Sequence, residues 1–178
     1  MFLAGLGVLL LGGVSLIVVA RQRADNALQP TDFSAIPAPV HYQAPEIALT
    51  DLNGIQRSLS GYRGQVVIVN LWATWCPPCT AEMPMLQEFY ERHARDGFIV
   101  IAIEDGDPMG QVVAFVKDHR LTFPIWLDPA YTAADRIFKT SNLPSSYLLD
   151  RAGTIRLRWI GAISESNLEN YVTPLIKE

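Results

Sequence analysis

The chain has two cysteines, three residues apart, in Trp75-Cys76-Pro77-Pro78-Cys79. The apolar run Val66-Val67-Ile68-Val69-Asn70-Leu71-Trp72 leads into them, and a helix-compatible stretch follows. A thiol at a helix N-terminus meets unpaired N–H groups and the positive end of the helix dipole, and both favour its ionised form. The thiolate is the species that attacks a disulfide. At this spacing the second cysteine can fold back and attack a mixed disulfide formed by the first. Cys76 is therefore the expected nucleophile and Cys79 the expected resolving residue. The pair would cycle between a dithiol and a Cys76–Cys79 disulfide, with no further cofactor. Pro78 suits a first helical turn, where its missing N–H is not needed. Two prolines between the cysteines stiffen the loop and so bear on its redox potential.

Other chemistries fit the pair less well. Zinc normally takes four ligands. Only His41, His93 and His119 could add to the cysteines, and none has a paired spacing. No metal site is expected. A purely structural disulfide closing so short a loop would stabilise little.

The elements that must position the cysteines can be read around them. Short alternating runs at 46–50 and 56–59 flank Asn53-Gly54, a hairpin signal. A buried strand at 66–72 leads into the motif, and a helix from about 78 to 95 stops near Gly97. A second apolar strand covers 98–103. Val112, Val113, Phe115 and Val116 give 109–120 a helical period. A short strand at 124–127 and a short helix at 131–139 follow. Strands at 146–149 and 154–160 are joined by the turn Asp150-Arg151-Ala152-Gly153. An amphipathic helix at 164–176 closes the chain, with Ser164 as its cap. Alternating strands and helices that end in a hairpin predict an α/β fold, a mixed central sheet flanked by helices on both faces.

A length of 178 residues allows one domain plus an appendage, and a net charge of −4 gives no footprint for nucleic acid. The appendage is at the start. Residues 2–20 carry no charged side chain. At about 1.5 Å per helical residue they nearly cross a bilayer core of about 30 Å. The run is long for a signal-peptide core and lacks a basic leader, so residues 1–23 read as an uncleaved transmembrane anchor held in the bilayer through 2–20. Residues 24–44, broken by Pro30, Pro37 and Pro39, read as an extended linker, with Phe33 or Tyr42 as the side chains able to pack back. Residues 45–178 form the soluble domain. Arg21 and Arg23 follow the span, which by the positive-inside rule alone would put that domain in the cytoplasm. The redox motif favours the opposite side, where disulfide-bearing partners persist. The expectation is a single-pass protein of a bacterial cell membrane with an extracytoplasmic domain.

Over 44–178 the sequence resembles the thioredoxin fold, specifically the membrane-anchored TlpA/ResA-like (DsbE/CcmG-like) branch of the broader redoxin, or AhpC/TSA, superfamily. Asn70-Leu71-Trp72-Ala73-Thr74-Trp75-Cys76-Pro77-Pro78-Cys79 carries the resemblance, with Glu82-Met83-Pro84 after it, the hairpin at Asn53-Gly54 and Gly61-Tyr62-Arg63-Gly64 before the strand. The resemblance implies the N-terminal hairpin and an αβ insertion at 107–128. It implies that Pro144 is a cis-proline facing the cysteines, and that Leu143 and Pro144 shape the substrate surface with Trp75, Pro77 and Pro78. Ser145 stands where threonine is usual, and Asn142 where glycine is frequent. Glu82 matches an acid that the branch keeps near its cysteines, one turn beyond Cys79, where it would influence proton transfer; a plain first-turn acid is the alternative. Asn70 replaces the buried acid of thioredoxin itself. Trp72, Trp126 and Trp159 read as core.

The resemblance implies a membrane-tethered thiol–disulfide oxidoreductase that reduces protein disulfides outside the cytoplasm, apocytochrome c among them. It would be recharged by a membrane thiol-reductase electron donor. Two alternatives are weaker. Peroxiredoxins carry Pro-x-x-x-Thr-x-x-Cys, and Val69 and Ala73 occupy those positions before Cys76. Sco-like copper-handling proteins use Cys-x-x-x-Cys with a distant histidine, and this spacing is one residue short.

Overall fold

The structure, a computed structural model, describes residues 35–178. The expected anchor at 1–23 and the linker as far as residue 34, Phe33 included, lie outside the described residues. Among the described residues no helix is long and apolar enough to cross a membrane.

Eight strands form one mixed sheet. They are β1 (Ala38–Gln43), β2 (Ala48–Asp51), β3 (Gln56–Ser58), β4 (Val66–Trp72), β5 (Phe98–Glu104), β6 (Ile125–Leu127), β7 (Ser145–Leu149) and β8 (Thr154–Ile160). Their spatial order is β1-β8-β7-β4-β5-β6-β2-β3. β4, β5 and β6 are parallel, and the remaining pairs are antiparallel. The continuous apolar runs in β4 and β5 suit central strands covered on both faces. Every residue of β4 is buried. Its even-numbered side chains Val66, Ile68 and Trp72 enter one core layer, and Val67, Val69 and Leu71 enter the other.

The two layers are unequal. The first is covered by α1 (Pro77–His93), α2 (Met109–Asp118) and the C-terminal helical run, through Met83, Leu86, Phe89, Val112, Leu168 and Val172. The second is capped by a wide helical turn, Thr132–Phe138, through Ala133 and Ala134, and by a short turn that buries Leu59. Gly97, at φ +80°, supplies the left-handed residue that ends the helical segment before β5. Trp72, Trp126 and Trp159 are fully buried, as expected of core residues.

Several expectations needed adjustment. β1 lies inside the stretch read as a linker, so that reading does not hold for 38–43. The reason is tertiary: β8 offers a free edge, and β1 pairs with it from Ala38↔Arg158 to Gln43↔Thr154. Pro39 is tolerated because an edge strand does not need every N–H. Ala35 N–H also donates to the Ala162 carbonyl (2.9 Å). Tyr42 does not pack back; it remains exposed. The closing helix is unbroken over 165–176, as expected, but it widens part-way along. It runs as Glu165–Asn167, a wider turn Leu168–Val172 and Thr173–Ile176. Pro174 has no N–H to give to a preceding turn. Ser164 does cap it, accepting from Asn167 N–H (3.3 Å).

One side chain ties three remote segments together. The Arg151 guanidinium donates to the carbonyls of Gly64 (2.9 Å), Asp96 (3.1 Å) and Ile176 (2.9 Å). These lie before β4, before β5 and at the end of the last helix. Arg151→Ala is expected to lower unfolding free energy in urea by about 1–3 kcal/mol, the range for charge-assisted hydrogen bonds. Arg151→Lys should recover little, because a point charge cannot span three carbonyls. A wild-type denaturation midpoint for the alanine variant would refute this.

Candidate active site

β4 ends at Trp72, and the chain turns through Ala73, Thr74 and Trp75 into α1. The turn is closed by Cys76 N–H donating to the Ala73 carbonyl (3.2 Å). Cys76 is the N-cap residue of α1, and Pro77 and Pro78 occupy its first turn. Cys79 lies one turn on and is bonded to Cys76 as a disulfide, with Cα atoms 5.2 Å apart. The two sulfurs are unequally placed. Cys79 is sealed at 0% exposure, Cys76 retains 4%, and Trp75 beside it is 66% exposed. Pro77 and Pro78 are exposed as well. The outer rim of the site is therefore Trp75, Cys76 and the two prolines.

β7 supplies the facing wall. It is antiparallel to β4 with Leu71↔Ser145, so β7 begins where β4 ends. That register places Pro144 at the sheet end that carries the cysteine turn. The Leu143–Pro144 bond is cis, as the resemblance implied. Leu143 packs against the core layer that contains both cysteines. Ser145, in the usual threonine position, donates from Oγ to the Asn142 carbonyl (2.6 Å) and so closes the loop ahead of the proline.

Beneath the disulfide lies a buried polar chain. Asn70 sits on the α1 side of β4, as the period of two requires. Its Nδ2 donates to Glu82 Oε1 (2.8 Å) and to Ser146 Oγ (2.9 Å). Ser146 is its register partner on β7. Glu82 Oε2 accepts from Ile163 N–H (2.8 Å). Glu82 is three residues beyond Cys79 and shares the inward face of α1 with Met83 and Leu86. It is 2% exposed, so it is an interior carboxyl and not a solvated first-turn acid. Burial pushes Glu82 up to about 7, although the bonds from Ile163 and Asn70 pull the other way. A group at that value can give or take a proton near neutrality.

A second acidic group, absent from the sequence reading, flanks the cysteine turn. Burial pushes Glu104 up to about 8 and Asp105 up to about 6, with neighbouring carboxylates adding to the rise. Asp107 Oδ2 accepts from Thr74 N–H and from Thr74 Oγ1, both at 2.7 Å. Asp105-Gly106-Asp107 directly follows β5, whose last residue is Glu104. The available signal was three acids around a glycine directly after a buried strand. Ser146 was missed too, since a serine in a strand carries no mark of its partner. His93 packs at a tilt against Phe89, and His119 stacks on Phe115. Among the described residues no group of three or more His, Cys, Asp or Glu could hold a metal ion.

Comparison with known proteins gives a consistent picture. Residues 40–158 match the model of the AhpC/TSA family. The thiol-disulfide oxidoreductase ResA of Geobacillus kaustophilus is 35% identical over 132 residues, covering 72% of this chain and 74% of that protein. The thioredoxin-like protein YneN of Bacillus subtilis is 32% identical over 164 residues, 89% of this chain and 94% of its own. Among solved structures, a secreted thiol-disulfide isomerase from Corynebacterium glutamicum superposes with a TM-score of 0.73 at 26% identity, covering 80% of this chain and 92% of that one.

Glu82 gives stability a pH dependence of definite sign. A raised carboxyl pKa means that the folded protein holds the proton more tightly than the unfolded chain. The cost of burying the charge is absent below the ordinary value of 4.5 and accrues as pH rises towards about 7. At about 1.4 kcal/mol per unit this amounts to on the order of 3 kcal/mol. In the oxidised protein, Glu82→Gln should flatten the decline in unfolding free energy between those pH values relative to wild type. Equal slopes for the two proteins would show that Glu82 titrates normally.

Proposed function

The chain belongs to the AhpC/TSA family, in its TlpA/ResA-like branch of thiol–disulfide oxidoreductases, and on that premise we propose that it is a membrane-tethered reductant of protein disulfides outside the cytoplasm. The observation that carries the reading is the asymmetry of the cysteine pair. Cys76 lies at the rim of an exposed aromatic and proline surface, Cys79 is sealed, and a carboxyl poised near neutrality sits one turn further in.

The steps follow from that asymmetry. Cys76 thiolate attacks one sulfur of a substrate disulfide. That S–S bond breaks, and the departing sulfur takes a proton as a thiol. Cys79 then loses its proton and attacks the Cys76 sulfur. The mixed disulfide breaks, the second substrate thiol leaves, and the Cys76–Cys79 disulfide forms. Two electrons and two protons pass to the substrate. Glu82, on the same helix face as Cys79, is the group suited to take the Cys79 proton. Leu143 and Pro144 offer the backbone against which an extended substrate segment lies, and Trp75 with the two prolines forms the apolar rim.

A membrane dithiol donor returns the electrons. The uncharged run at 2–20 supports a tether, and the extracytoplasmic side is where substrate disulfides persist. Apocytochrome c before haem attachment is the substrate class that the family resemblance favours. A peroxidase reading finds Val69 and Ala73, both fully buried, where that chemistry uses proline and threonine.

Cys79→Ala in the full chain should accumulate a mixed disulfide between Cys76 and a disulfide-bearing protein, released by dithiothreitol. Absence of any adduct, or an adduct that survives loss of Cys76, would contradict the assigned order. A midpoint potential near that of thioredoxin, about −270 mV, is expected, and one near −120 mV would make the protein an oxidant.

A further inference from the structure

The loop between β5 and α2 is built as a brace. Asp105 N–H donates to the carbonyl of Trp72, the last residue of β4 (2.9 Å). Asp107 N–H donates to Glu104 Oε1 (2.9 Å), and Glu104 is 1% exposed. Between them Gly106 has φ +88°, and a Cβ there would collide with the Tyr131 hydroxyl. The loop is thus fixed at the end of β4, at Glu104 and under the Tyr131 ring. What it presents is one oxygen, Asp107 Oδ2, which takes both the N–H and the hydroxyl of Thr74. Thr74 is followed directly by Trp75 and Cys76.

We propose that Asp107 is a positioning residue, which through Thr74 fixes the turn that presents Trp75 and Cys76 to substrate. Free of this clamp, the turn would hold Cys76 less firmly at the N-terminus of α1, where its thiolate is favoured. The role is geometric. A negative charge at the position of Asp107, acting alone, would disfavour a thiolate. Its neighbours Glu104 and Asp105 are pushed towards their neutral forms, which limits the negative field there. Asp128 and Asp135 face Asp105 from the far side.

The inference rests on Cys76 being the attacking thiol, and the test separates the two. In full-length protein carrying Cys79→Ala, the rate of Cys76 alkylation by iodoacetamide is followed against pH. In the protein with both cysteines, turnover of insulin disulfides is followed. Asp107→Ala should slow alkylation at neutral pH and lower kcat/KM, each by about tenfold, as a displaced reacting group does. Asp107→Asn keeps the accepting oxygen and should stay near wild type. Thr74→Val removes one donor without touching charge and should slow both reactions about threefold, and Thr74→Ser should restore them. Wild-type alkylation in Asp107→Ala and Thr74→Val would overturn the proposal. So would an Asp107→Asn variant as slow as Asp107→Ala, because charge would then be the agent. Failure of Cys79→Ala to trap any mixed disulfide would sink the reductase reading, while the alkylation rates would still decide the role of Asp107.

Discussion

A carboxyl group at the centre of the domain is the constraint around which the rest is arranged. Burying an acid is costly unless donors meet it. Glu82 receives two, an amide from β4 and a backbone N–H from the segment after β8. Supplying them fixes the phase of α1, the identity of residue 70 and the path of the chain through Ile163. The same phase carries Cys79 inward and leaves Cys76 at the rim. The inequality between the two sulfurs and the buried proton site are therefore one structural decision. Any slip of α1 about its axis would expose Cys79 and strip Glu82 of a donor together.

Asn70 is the other half of that arrangement. Its Oδ1 is buried without a hydrogen-bond partner. An acid in its place would set two carboxyls against one another, and an apolar residue would leave Glu82 Oε1 unmet. The amide is neutral and long enough to reach both Glu82 and Ser146. The acid on the helix and the amide on the strand therefore fit each other.

Much of the fold was legible because its signals are local. β4 and β5 are unbroken apolar runs, Asn53-Gly54 marks the hairpin between β2 and β3, and Gly97 marks a helix end. The cysteine pair and the cis bond before Pro144 could be read from motif and resemblance. What escaped depends on partners far along the chain. β1 is a polar, proline-bearing stretch that becomes a strand only because β8 has a free edge about 115 residues later. The widening of the closing helix at Leu168–Val172 was not legible either. Asp107 was marked only by three acids around a glycine, because its meaning is supplied by Thr74 on another loop. Glu82 was ambiguous in one dimension and became clear only when Ile163 N–H was seen to reach it.

The Ala162 carbonyl and the Ile163 N–H belong to one peptide group. The first accepts from Ala35, and the second donates to Glu82. A peptide unit is planar and polarised along its length, so a bond at one end strengthens the bond at the other. Ala35 and the buried carboxyl of Glu82 are thus joined through a single amide plane. Tilting that plane from either end perturbs both bonds, so a pull on Ala35 is felt at the buried carboxyl.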